Sequence, residues 1–240
     1  MIQVQRLRVF CQIKKMRDKN KKSTDSDPAS PGPRQQKVLA TIAANEAATL
    51  ATLKNLASSQ AQLQASGIID INGNGAGEYG FCQDLTGSRV VHGMDPKAKK
   101  KIRVSPPILP RSFAKTDADG CIQRSGYFLR IFLPGSKGKP VHEKSPHDPF
   151  PSVGASDSEV LWCAYAWPVA RGRTGQRTFF INMRGDALAS ENSLMGYSGK
   201  SRIPSPHAAL RIDFKDKQAL AANLAIHGGA FDGARWRVTN

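Results

Sequence analysis

At 240 residues the chain can bury a real core, and its length suits one domain or one domain with tails. Its 15 Pro and 21 Gly indicate much loop; it has no apolar run near the ~20 residues that span a bilayer and no secretory h-region with a cleavage site, so as written it reads as soluble and unexported. The formal charge of +16 is concentrated in two places: residues 1–37 carry ten Lys/Arg against three Asp, a net of +7, and residues 97–103 add +5 with no acid, leaving the remainder only mildly basic.

Residues 1–22 alternate apolar and basic groups weakly, and residues 23–33 have linker composition. Residues 1–36 are therefore expected to be a basic, disordered tail and linker. One α+β domain is expected over 37–240. A helix is predicted from near Arg34 to Ser66, ~50 Å long at 1.5 Å per residue, with Gly67 as its C′ residue. Its apolar positions Leu39, Ile42, Leu50, Leu53, Ala57 and Ala61 keep helical steps, and Leu56 and Leu63 widen the stripe. Asn45 and Glu46 interrupt that stripe, so the first turns are expected to stand clear of the body.

A Gly/Asn/Asp-rich loop follows. Residues 81–85 suit one short helical turn, and 87–112 read as basic, Pro-rich loop. Strand composition then dominates a body over 113–240. The predicted strands are 126–133, ended by Pro134-Gly135; 160–167, ended by Pro168; and 177–183, turned by Arg184-Gly185 into 186–189. The short separations favour antiparallel pairing. Residues 215–226 read as helix and 235–239 as a last short strand. The expected fold class is α+β, a long helix laid on an antiparallel sheet.

Asp70, Asn72, Asn74 and Glu78 occupy positions 1, 3, 5 and 9 of an EF-type loop, with Gly75 at the tight turn. Alternate oxygen ligands with a glycine between them are what a hard cation requires. Position 12, where a bidentate Glu belongs, is Phe81. Two readings remain open: a calcium site, or an Asx/Gly turn that ends the helix and fixes the next segment, which the loss at position 12 favours. Asp117-Ala-Asp-Gly120 reads as a hairpin or loop turn. His142 and His147 are five apart with Pro146 between them, which is not the spacing of a helical zinc site.

Lys97, Lys99, Lys100, Lys101 and Arg103, with the basic segment 14–22, could bind nucleic acid or another polyanion by counterion release. A solvated flank is the simpler reading. Trp162, Tyr165, Trp167, Phe179 and Phe180 read as core and cross-strand pairs more readily than as a stacking platform. Cys11, Cys82, Cys121 and Cys163 lack zinc spacing, and Cys82, Cys121 and Cys163 suit either one disulfide or buried thiols. No arrangement of His, acid and nucleophile is apparent along the chain, so an enzyme ranks third.

Several segments taken together carry a resemblance: Asn45-Glu-Ala-Ala-Thr-Leu-Ala-Thr-Leu-Lys-Asn-Leu56, Asp70-Ile-Asn-Gly-Asn-Gly-Ala-Gly-Glu-Tyr-Gly80, Arg124-Ser-Gly-Tyr-Phe128, Tyr165-Ala-Trp-Pro168 and Phe179-Phe-Ile-Asn182. From about residue 37 onward the chain resembles type IV pilin-like and type II secretion pseudopilin-like proteins. That resemblance implies a long amino-terminal helix packed on an antiparallel sheet, periplasmic or surface exposure, assembly with other pilin-like subunits, and a loop calcium held by Asp70, Asn72 and Asn74. The family carries a basic leader and about 20 apolar residues where this chain has the polar residues 1–36. The function expected first is a non-enzymatic structural subunit of this kind, or a soluble paralogue, without a cofactor unless calcium binds. The alternative is a soluble module whose basic segments 14–22 and 97–103 engage nucleic acid or another polyanion.

Overall fold

A computed structural model of the chain describes residues 32–94, 97, 99, 101–211, 219–226 and 228–239. Two compact units divide the chain, Met1–Lys37 and Val38–Asn240. In the first, residues 32–37 are described and exposed; the expectations for the tail, including segment 14–22, lie outside the described residues.

The helix α1 spans Pro33–Ser66. Pro33 takes the first helical position, where its missing N–H costs nothing. The interior has neither Gly nor Pro and is rich in Ala, Leu and Gln, all good helix formers. Gly67 ends it at φ +61, the left-handed conformation that suits a C′ glycine. Among the described residues, no helix is long and apolar enough to cross a membrane.

Within the second unit, α1 buries Glu46, Thr49, Leu53, Leu56, Ser59, Gln60 and Leu63. This corrects the predicted stripe. Leu39 is half exposed, Ala61 is exposed, and Leu50 and Ala57 are only partly covered. The seam is rotated because polar groups at both ends of the contact satisfy backbone amides of the body. Glu46, expected to break the stripe, is one of those groups.

The body is built on an antiparallel sheet of β1 (Ile122–Arg124), β2 (Tyr127–Pro134), β3 (Pro140–Val141), β4 (Cys163–Pro168), β5 (Thr178–Asn182), β6 (Leu188–Ser190) and β9 (Trp236–Val238). Its order is β1-β2-β4-β5-β6-β9, with β3 paired to the far end of β2. A separate ribbon joins β7 (Leu210–Arg211) to β8 (Asn223–Leu224). The short helices α2 (Cys82–Leu85) and α3 (Ala155–Ser158) lie in the loops before β1 and β4.

All residues of β2, β4 and β5 are buried. Continuous burial arises because both faces of the sheet are covered, which also explains strands that are apolar throughout instead of alternating. Leu129, Ile131, Ala164, Ala166, Phe179 and Ile181 share one core with Leu53, Leu56 and Leu63 of α1. On the opposite face, Phe128, Tyr165, Trp167 and Phe180 pack with Tyr197, Ala208, Leu210 and Trp236. This second layer, contributed by the loop-rich carboxyl-terminal third, is absent from the two-layer expectation. The aromatics are core: Tyr165 and Phe180, cross-strand partners, have ring centroids 4.9 Å apart.

The helix expected over 215–226 is corrected. Residues 212–218 lie outside the described residues, and the rest form a 3₁₀ turn (Ala219–Ala221) followed by β8. Three alanines and a Leu over residues 219–222 are as compatible with a tight turn packed on the core as with a helix. Leu220 and Ala222 are both buried there.

Candidate functional site

The most concentrated chemistry lies where α1 hands over to the body. Gln60 is fully buried, and its amide pairs with the backbone of Gly80 in both directions: Nε2 donates to Gly80 O at 2.7 Å and Oε1 accepts Gly80 N at 3.0 Å. A Cβ at Gly80 would stand 2.6 Å from Leu63 Cδ2 and 3.0 Å from Asp84 Cβ, so the glycine leaves room for this close approach.

The turn over residues 70–76 is built by its own side chains. Asp70 Oδ1 and Oδ2 accept the amides of Asn74 and Gly75 at 3.1 and 3.0 Å. Asn72 Oδ1 accepts Asn74 N, and Asn74 Oδ1 accepts Ala76 N. Both asparagine amide nitrogens donate to Glu159 Oε1, at 2.8 and 2.9 Å. These are nested Asx turns.

Glu78 corrects the proposed ligand set. It has no exposure, and its carboxylate turns inward, accepting Ile71 N at 2.8 Å and the Ser158 hydroxyl at 2.8 Å. The acid that faces Asn72 and Asn74 is Glu159, from a distant segment. With the loop oxygens committed to backbone amides and Glu78 buried, the donors do not fit a calcium cage of six to eight open oxygens.

Glu78 belongs instead to a buried charged cluster. His92 sits between two carboxylates, Nδ1 at 2.8 Å from Asp84 Oδ2 and Nε2 at 3.5 Å from Glu78 Oε2, all three side chains fully buried. Asp84 also accepts the amides of Phe81 and His92, capping α2. Glu143 accepts the next two amides, of Cys82 and Gln83, each at 3.2 Å. Burial pushes His92 down, but the charge of Asp84, its hydrogen bond and then Glu78 outweigh this and raise it to about 9. Burial and the nearby Asp84 charge raise Glu143 to about 8 against the two amides it accepts. Burial, then Glu143 and Asp84, push the Cys82 thiol well above its usual range.

The chain matches no family model, no characterised protein and no solved structure. The site is therefore interpreted from its own geometry. A hydroxyl, two carboxylates and an imidazole lie in line, from Ser158 through Glu78 and His92 to Asp84, all buried. Each side chain is engaged with backbone or with its neighbour, and none of these atoms reaches solvent. Chemically the cluster ties together residues 70–92, Glu143 and Ser158.

The remaining sequence candidates are dispersed. Lys97, Lys99, Lys101 and Arg103 are exposed, and Lys100 lies outside the described residues. Asp117 caps its own turn by accepting the amides of Asp119 and Cys121, and pairs with Lys200 at 3.0 Å. His142 hydrogen-bonds the Glu143 carbonyl while His147 is exposed, so the two do not converge. Cys82, Cys121 and Cys163 are buried free thiols. Among the described residues, no three His, Cys, Asp or Glu side chains are disposed around a common metal position.

Sequence reasoning missed His92, Asp84, Glu143 and Gln60. Asp84, three residues after Phe81, carried a capping signal. His92 carried none, because its partners arrive from separate loops.

Proposed function

We propose that this protein is a non-enzymatic, pilin-like structural subunit, or a soluble paralogue of one, associated with type II secretion or surface filaments. The observation that carries this reading is the division of α1. From Glu46 onward its seam is buried against the body, whereas in the two turns before it Leu39 is half exposed and Val38 and Ile42 are only partly covered. A helix seated firmly from Glu46 and only partly covered over residues 38–45 suits subunit packing. The segments that carry the resemblance also meet in space: Tyr127 pairs with Pro168 and Phe128 with Trp167 in adjacent strands. The buried ionic cluster supports the same reading, since it ties the segment that follows α1 to Glu143 and Ser158 of the body.

The test is self-association of the full chain, followed by sedimentation and electron microscopy. Oligomers or short filaments are expected for the wild type. Their loss is expected in Leu39→Asp with Ile42→Asp, at unchanged thermal stability. A chain that remains monomeric at its highest soluble concentration, alone and with pseudopilin subunits, would overturn the reading.

A further inference from the structure

A cavity of about 670 Å³ opens beside the buried cluster, within the size range of small-molecule sites. Arg89, Lys101 and Arg103 supply positive charge, while Met94, Phe150 and Val153 supply apolar wall; among the described residues no acidic side chain lines it. Two of the cations are held in place by the body. Arg89 Nη1 donates to Gln83 Oε1 at 3.1 Å and to the Asp148 carbonyl at 2.7 Å, and its guanidinium lies 4.4 Å from the Phe150 ring centroid. Phe150 is itself backed by Phe81, nearly parallel at 12° with centroids 5.6 Å apart. Arg103 Nη1 donates to the Ser88 carbonyl at 2.6 Å. Each guanidinium retains further N–H groups, since arginine carries five donors in a fixed fork.

We propose that this cavity binds the phosphate of a nucleotide, either free or as one unit of a single strand. Arg89, Arg103 and Lys101 would take the phosphate oxygens, and the Met94 and Val153 wall would take the base. Anchored guanidinium forks match phosphate geometry and lose little freedom on binding. The apolar wall beside them favours a ligand with a flat, weakly polar part over inorganic phosphate alone. Phe150 already stacks with Phe81 and carries the Arg89 guanidinium, so the base is assigned to the aliphatic wall and not to that ring. Lys97 and Lys99, earlier on the same loop, would extend the contact for a strand. The inference does not rest on the structural-subunit reading.

The experiment is titration calorimetry of the full chain at low salt with ADP, adenosine, inorganic phosphate and an oligo-dT strand. Saturable binding of ADP or of the strand, tighter than that of adenosine, is expected. Lys101→Ala with Arg103→Ala should weaken it by at least about tenfold. Lys137→Ala with Lys139→Ala, which removes the same charge from the turn between β2 and β3, should leave it unchanged. Arg89→Lys keeps the charge but not the fork and should weaken binding without unfolding the protein. ADP binding assigns the site to a free nucleotide; strand binding without ADP assigns it to nucleic acid. Binding of neither overturns the proposal, as does adenosine binding as tightly as ADP or an equal loss in the control pair.

Discussion

Glu46 on α1 and Arg177 at the head of β5, 131 positions apart, meet with Oε2 2.7 Å from Nε. Glu46 Oε1 simultaneously accepts the amides of Gln176 and Arg177, each at 2.9 Å. Burial tends to raise this carboxyl, but the two amides and the guanidinium hold it below the usual carboxylate value. One side chain thus satisfies the backbone entering β5 while it fixes the rotation of α1. The Arg177 side chain is 34% exposed, so its charge is screened and the two amides matter more.

Glu46→Ala should therefore cost about 2–3 kcal/mol in urea unfolding, because it leaves two amides unpaired. Arg177→Ala should cost less than about 1 kcal/mol. Equal costs for the two substitutions would show that the ion pair, and not backbone capping, holds the contact.

Gln60 plays the matching role at the other end of the seam. Gln60→Ala removes a buried two-way amide pair and should cost about 2 kcal/mol. Gln60→Leu, similar in volume, should also destabilise, because Gly80 N and O would be left dry. Hydrogen exchange of the Gly80 amide provides the local check. Unchanged protection in Gln60→Leu would mean that another group satisfies it.

These two polar residues mark the limit of what sequence pattern alone conveys. The rod itself was legible because a run free of Gly and Pro, ending at Gly67, leaves few alternatives. The strands around Tyr127, Tyr165 and Phe179 were legible from β-branched and aromatic density. Which face of the rod is buried was not, because a stripe built from Leu and Ala assigns Glu46 and Gln60 to the outside. Their burial depends on backbone amides of Gln176 and Gly80, which no periodicity reveals. For the same reason Glu78 matched a loop position by spacing while folding towards His92. The second layer was hidden because Ala208, Ala209 and Ala234 are small, and because its larger members such as Tyr197 and Leu210 lie in irregular or two-residue segments.

The buried cluster makes stability fall as pH rises. The folded chain keeps a proton on His92 up to about 9, while the unfolded chain releases it near 6.5, so this contribution is complete below 6.5 and lost through 9. Glu143 acts in the same direction over a lower window, because the folded state holds its proton to about 8 and the unfolded chain releases it near 4.5. Denaturant midpoints should therefore decline from about pH 5 to 9, with roughly 3 kcal/mol from His92 alone. Glu143→Gln should flatten the lower part of the profile and His92→Gln the upper part. A wild-type profile that rises between pH 7 and 9 would contradict the protonated state assigned to His92.

Arg130 lies on the sheet face opposite α1 and is only 7% exposed, yet no carboxylate pairs with it among the described residues. Its Nη2 lies 3.1 Å from Cys121 Sγ, its guanidinium is flanked by Phe132 and Trp167 at 5.9 and 5.8 Å, and its Nε has no partner. Cation–π contact recovers part of the desolvation cost, about 1–2 kcal/mol, whereas an unpartnered buried donor costs about as much. The cation also partly offsets the burial that raises the Cys121 thiol to about 11. Methionine has a similar reach and no charge to desolvate, so Arg130→Met should be neutral or stabilising by about 1–2 kcal/mol. The same substitution should raise the Cys121 thiol further and slow its reaction with thiol reagents. If Arg130→Met instead destabilises by more than about 1 kcal/mol, the guanidinium contributes more through its aromatic and thiol contacts than this balance allows.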